Sequence, residues 1–273
     1  MKLRNKMIAL LMAAVLIGAA LFAGCGETSA EKVKLNVFAA ASMTETLEQA
    51  AELYKKEAPN VELVFNFDSS GTLKTQIEQG ADCDVFISAA QKQMNQLDIE
   101  ADPEINKDQL DFVLKGTRFN ILENKVVLAV PEGNPAGIRS FEDLGTDKLT
   151  LLALGNEDVP VGQYSEEILT TLGILDTLLA SGKITYGSNV KEVTTLVQTK
   201  AADAGIIYET DAFSAGLDYV AKADSSLCKR VIYPAAVMKN SKQQDAAKAF
   251  LEFLKTDACV KIFEGVGFTV LNE

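Results

Sequence analysis

The groups in this 273-residue chain that could do chemistry are hydroxyls and main-chain amides, because the sequence contains no histidine. That removes His-based triads, histidine general bases and the commonest metal ligand together. What recurs instead is a strand-like run, a small or hydroxyl-rich turn, and a helix start. FAAASMTETL (residues 38–47) sets three alanines and Ser42 before a helical apolar period, with Glu45 at S-x-x-E capping-box spacing. FNFDSSGTL (65–73) repeats the pattern with Asp68, Ser69 and Ser70. DVPVGQY (158–164) puts Pro160 at a turn, so that the amides of Val161 and Gly162 stay free to point outward. GSNV (187–190) opens another helix, and GIIYETD (205–211) is a buried strand that delivers Tyr208 at its end. A helix start presents unpaired N–H groups and the positive end of the dipole, so such turns can either cap themselves or hold an anion. Runs of alanine beside one of them would let an anion come close to the backbone.

The elements that must position these turns alternate along the chain. Apolar strand runs are expected at 35–39, 61–67, 84–88, 125–130, 150–154, 205–208 and 231–238. Helical periods lie between them: Met43, Leu47, Ala50 and Tyr54; Ile168, Leu169 and Leu172; Val190, Val193, Leu196 and Val197; and a last helix from about Ser241 to Leu254. Alternation of this kind predicts an α/β fold, in which parallel neighbouring strands bring their turns side by side at the carboxyl edge of a sheet. Two seams, near 124–133 and 229–236, suggest two lobes with the chain returning to the first; one doubly wound domain fits the same periodicity.

Composition bounds the class. Lys2, Arg4 and Lys6, the apolar run 7–23 and the small residues before Cys25 form a secretory leader of the lipoprotein type. An uncleaved anchor is the alternative. Residues 1–24 are thus expected to be removed, Cys25 to carry the lipid, and 25–32 to act as a tether on the outer face of the cell membrane. The remainder carries 23 basic against 38 acidic residues, a net of −15, and no basic run, which argues against nucleic acid as partner. Cys83, Cys228 and Cys259 match neither a disulfide framework nor a zinc pattern, although a single bridge among them stays open. Catalysis finds little support: no dinucleotide or P-loop glycine pattern is present, and a Ser–Lys pairing with Lys74 or Lys191 lies in no nucleophile motif.

Taken in order, FAAASMTETL, FNFDSSGTLKTQIEQGADCDVFISAAQKQMNQL, NEDVPVGQYSEEIL, GIIYETDA and the closing GFTV resemble the molybdate-binding proteins of ABC transporters, from about Val37 to Val270. The resemblance implies a two-lobed periplasmic-binding-protein fold of type II, each lobe a sheet flanked by helices, with lobe I at 33–128 and 232–273 and lobe II at 129–231. It implies a cleft that closes on molybdate or tungstate, held as an oxyanion by neutral groups without direct protein ligands to the metal and without a cofactor. Carried over by motif, these groups are the hydroxyls of Ser42, Ser70 and Tyr208 and the amides of Val161 and Val190. The implied partners are an ABC permease and its ATPase, with the binding protein a monomer. The same scaffold tuned to sulfate or another oxyanion is the nearest alternative, and a hydrolase the distant one. Val161 stands where a smaller residue is usual, and Asp68, two residues from Ser70, is expected to point away from the anion or to cap the helix.

Overall fold

Residues 32–271 are described by a computed structural model; the leader, Cys25 and the tether up to residue 31 lie outside the described residues. The described residues open with β1 (Val33–Ala40), pass through a 3-10 turn (Ala41–Met43) into α1 (Thr44–Glu57), and return as β2 (Val61–Asp68), α2 (Ser70–Glu78), β3 (Val85–Ile87) and the short α3 (Gln91–Asn95). After an irregular stretch come β4 (Phe119–Asn124) and, one residue later, β5 (Val126–Val130). Next are β6 (Leu152–Gly155), α4 (Pro160–Thr171), α5 (Leu175–Ser181), β7 (Ile184–Gly187), α6 (Val190–Gln198), β8 (Ala204–Tyr208), α7 (Glu209–Ala215) and β9 (Asp218–Lys222). The chain ends with β10 (Val231–Val237), α8 (Gln244–Phe253), α9 (Asp257–Gly265) and β11 (Thr269–Val270).

Two sheets result. The first has the order β11-β4-β10-β3-β1-β2 and the second β7-β6-β8-β5-β9. In each, the strands that feed the hydroxyl-rich turns are parallel: β1 with β2 and β3, and β6 with β7 and β8. Parallel strands covered on both faces read as unbroken apolar runs, which is why VFI and AGIIY are fully buried. Register then does the positioning. Ala40 pairs with Asp68, and Gly155 with Gly187, so the turns that follow these strands lie at one sheet edge in each case.

The chain passes from the first sheet to the second at Lys125 and back between β9 and β10. Val126, Val127 and Leu128 pair with β8 and therefore already belong to the second sheet, three residues before the boundary expected from the sequence. Helix α1 buries Leu47, Ala50 and Tyr54 at helical spacing. The Tyr54 ring packs 5.2 Å from Phe250 and 4.9 Å from Phe253 of α8, which fastens the returning C-terminal segment to the first sheet's side.

Strands β4, β7, β9 and β11 are not legible as apolar runs. β4 (FNILEN) buries Glu123 and Asn124, and the Glu123 carboxylate is held by Lys125 and Arg230. β9 (DYVAK) is an edge strand with little burial. Cys83, Cys228 and Cys259 are three separate buried thiols. Burial pushes the Cys228 thiol up to about 11, so it is not poised to react.

Candidate functional site

The first turn does not form the capping box its sequence suggests. Ser42 sits inside the 3-10 turn, neither Ala40 nor Met43 makes a side-chain cap, and the Ser42 Oγ lies 2.8 Å from the Tyr233 Oη. Glu45 is drawn elsewhere, with both carboxylate oxygens 2.7 and 2.8 Å from the Lys191 Nζ of α6. Ser42 is thereby released from its own helix and turned toward the interior, where it is 5% exposed.

In the second turn the two serines divide the work. Ser69 caps α2, accepting from the Thr72 N–H at 3.1 Å. Ser70, fully buried, accepts from the Ala89 N–H at 2.9 Å. Asp68 departs from expectation: it lines the cavity described below, with Oδ1 accepting from the Ser69 N–H at 2.7 Å and lying 3.5 Å from the Asn189 Nδ2.

On the second sheet, Val159 is the N-cap of α4, and Pro160 at its first position has a fixed φ and no N–H to leave unpaired. Val161 is the second residue of that helix and Val190 the first of α6, positions whose amides have no intrahelical acceptor. Neither amide finds another protein acceptor among the described residues. The Val161 side chain is buried in the core, so its size does not narrow the site; Val159 and Pro160 form that wall. Tyr208 closes β8 and is the N-cap residue of α7. Its hydroxyl is buried and has no hydrogen-bond partner among the described residues. Burial holds the phenol well above its usual range, so it stays protonated and able to donate.

These turns meet. Ser42, Ser70, Val190 and Tyr208 line one small cavity with Ala40, Ala41, Asp68, Ser69, Ala89, Val159 and Pro160. Its room is about 10 Å3, so a guest larger than a water must touch both walls. Val161 is the one expected residue that does not line it; its helix does, through Pro160. Three contacts bridge the walls around the cavity. The Gly71 N–H donates to the Asp158 carbonyl at 3.1 Å, Asp68 meets Asn189, and Glu45 pairs with Lys191. A larger cavity of about 590 Å3, lined by Lys92, Lys107, Gln163, Tyr164, Lys229 and Arg230 among others, lacks converging helix starts and is not the place where the turns meet.

Behind the cavity lies a charged cluster that sequence reading missed. Lys191 Nζ is 3.2 Å from the Asp211 Oδ1, and this ion pair is what the buried Asp211 oxygens have in place of well-formed hydrogen bonds among the described residues. Burial raises the Asp211 carboxyl to about 6 against the pull of Lys191, with Glu45 adding to the rise. A carboxyl raised in the folded state contributes stability that is full below its unfolded value near 3.8 and lost as the pH rises through about 6. Asp211→Asn should therefore change the pH profile: denaturant midpoints of the two proteins, compared from pH 4 to 7, should show the native chain losing ground to the variant up to about pH 6 and no further change above. Parallel profiles would contradict this placement of the Asp211 titration.

Comparison with known proteins agrees with the geometry. The model of the bacterial extracellular solute-binding protein family matches residues 35–269. The chain is 38% identical over 262 residues to the molybdate-binding protein ModA of Escherichia coli, covering 93% of this chain and 96% of that one. It is 36% identical over 256 residues to ModA of Haemophilus influenzae, covering 92% and 96%. The solved periplasmic molybdate-binding protein of Azotobacter vinelandii superposes with a TM-score of 0.75 at 25% identity, covering 87% of this chain and all of that one. Two sheets flanked by helices, joined where the chain passes from one to the other and back and carrying their turns to a shared cavity, are the architecture of periplasmic binding proteins, and the chain belongs to the bacterial extracellular solute-binding protein family.

Proposed function

We propose that this chain is the extracytoplasmic binding component of an ABC importer for molybdate or tungstate, and that Ser42, Ser70 and Tyr208 hydroxyls with Val161 and Val190 amides hold the oxyanion. The observation that carries the reading is the Tyr208 hydroxyl, buried at the cavity without a hydrogen-bond partner among the described residues. An orphaned buried donor costs about 1–3 kcal/mol, and a guest that accepts a hydrogen bond there recovers it.

The donor set suits a fully ionised oxyanion. Each hydrogen bond to a charged group contributes about 1.5–3 kcal/mol, and five of them offset much of the desolvation of a dianion. The acidic surface is no obstacle, since exposed charges are screened within roughly 8–10 Å at physiological salt, whereas helix starts act at contact distance. The two sheets serve as two lobes, 33–124 with 231–271 and 126–222. The bridges Gly71–Asp158, Asp68–Asn189 and Glu45–Lys191 belong to their closed form. An anion that touches both walls favours that form because it makes more contacts there. The chain binds and releases without catalysing, as a monomer, and hands the anion to a permease driven by an ATPase. Cys25 ties it to the membrane through a lipid.

Calorimetry of the protein with molybdate, tungstate and sulfate tests the proposal. Molybdate and tungstate should bind tightly one to one. Sulfate, too small to reach both walls, should leave one or two donors unpaired and bind at least about 10–100-fold more weakly. Equal affinity for sulfate would remove the size filter, and silence toward all three would sink the proposed site.

A further inference from the structure

We propose that Tyr233 and Asn124 are positioning residues that aim the Ser42 hydroxyl hydrogen into the cavity, an inference that rests on the oxyanion reading above. A dianion accepts hydrogen bonds and offers none. A serine helps bind it only if the serine hydrogen is not already committed to a protein acceptor. Ser42 lies 2.8 Å from the Tyr233 Oη, and either oxygen could donate. The surroundings decide which one does.

Asn124 closes β4 at the point where the chain leaves the first sheet, and is 1% exposed. Its Oδ1 accepts from the Lys125 N–H at 2.8 Å, which fixes the orientation of the amide. The Nδ2 hydrogens then face Thr210 Oγ1 at 2.9 Å and Tyr233 Oη at 3.2 Å. Nitrogen can only donate, so the phenol oxygen accepts from Asn124. Tyr233 is fully buried, and among the described residues its own hydrogen has one oxygen acceptor, that of Ser42. Were Ser42 the donor, the phenol hydrogen would be stranded in the interior. The direction that satisfies every group runs from Asn124 to Tyr233 to Ser42, leaving the Ser42 hydrogen for the cavity. Ser70 is aimed in the same way by the Ala89 N–H, which can only donate. Tyr208, without a hydrogen-bond partner among the described residues, needs no such aid. Thus the three hydroxyls proposed to hold the anion all reach the cavity with a free hydrogen. The chain of bonds also spans both sheets, since Thr210 belongs to α7 and Ser42 follows β1.

The test is a double-mutant cycle on molybdate affinity, with Tyr233→Phe, Ser42→Ala and both together. Tyr233→Phe keeps the ring, which packs edge-on against Tyr208 at 6.0 Å and Phe268 at 5.4 Å, and denaturant midpoints check that the fold is retained. Tyr233→Phe should weaken binding by about 10-fold in the native background. In the Ser42→Ala background it should change affinity by no more than about twofold, because its effect acts through Ser42. Asn124→Leu, which keeps the branched side-chain shape but removes the donor, provides a second variant in the same cycle and should behave alike. Native affinity in Tyr233→Phe, or losses that multiply in the double variant, would overturn the inference while leaving the oxyanion reading standing. Failure of the unsubstituted protein to bind molybdate would overturn both.

Discussion

Gly71→Ala is expected to abolish tight oxyanion binding in a protein that remains folded. Gly71 lies in the first turn of α2, and its N–H donates to the Asp158 carbonyl across the cavity. A Cβ there would stand 2.3 Å from that carbonyl oxygen, inside any van der Waals contact, and the obstacle is backbone that cannot rotate away. The backbone of Gly71 is helical, so alanine suits the helix itself and should stabilise it by up to about 1 kcal/mol. The clash is thus confined to the approach of the two walls. If the walls cannot meet, donors from one of them are lost. Two missing hydrogen bonds at about 1.5–3 kcal/mol each predict at least about 100-fold weaker binding. Calorimetry with molybdate measures the affinity, and thermal unfolding without ligand confirms the fold. Undiminished affinity would mean that the bridge between Gly71 and Asp158 plays no part in the bound state.

Tyr208→Phe should separate affinity from stability by moving them in opposite directions. On the proposed site, removing the hydroxyl takes one charge-assisted hydrogen bond from the bound anion, and affinity should fall by about 10–150-fold. The unliganded protein loses a buried donor that has no partner among the described residues, and should become more stable by up to about 1–3 kcal/mol. The ring keeps its place beside Tyr233. Denaturant unfolding without ligand, set beside a molybdate titration of the same sample, reads both quantities. A variant that is less stable and binds as well as the native chain would show that the phenol serves the core instead of the anion. Sites that hold unpaired donors ready for a ligand trade stability for binding, and this is the pattern expected of them.

The alternation of apolar runs and helical periods determined the α/β class on its own, because buried parallel strands must be apolar on both faces. VFI in β3 and AGIIY in β8 could be little else. Turn chemistry was legible as well: the first turn of any helix carries N–H groups without an intrahelical acceptor, and four of the five expected residues line one cavity. Sequence could not reveal which hydroxyl caps its own helix and which turns away. The S-x-x-E spacing of Ser42 and Glu45 predicts a local box, yet Tyr233, 191 residues away in the chain, takes the serine, and Lys191, 146 away, takes the glutamate. Those choices depend on which distant groups sheet pairing brings within 3 Å, and local spacing carries no record of them. For the same reason Asn124 and Asp211 read as ordinary polar residues in the sequence, and Asp68 as one that should turn away from the anion or cap its helix. Only the meeting of two sheets places one at the cavity wall, one in the bonds behind Ser42, and one in a buried ion pair with Lys191.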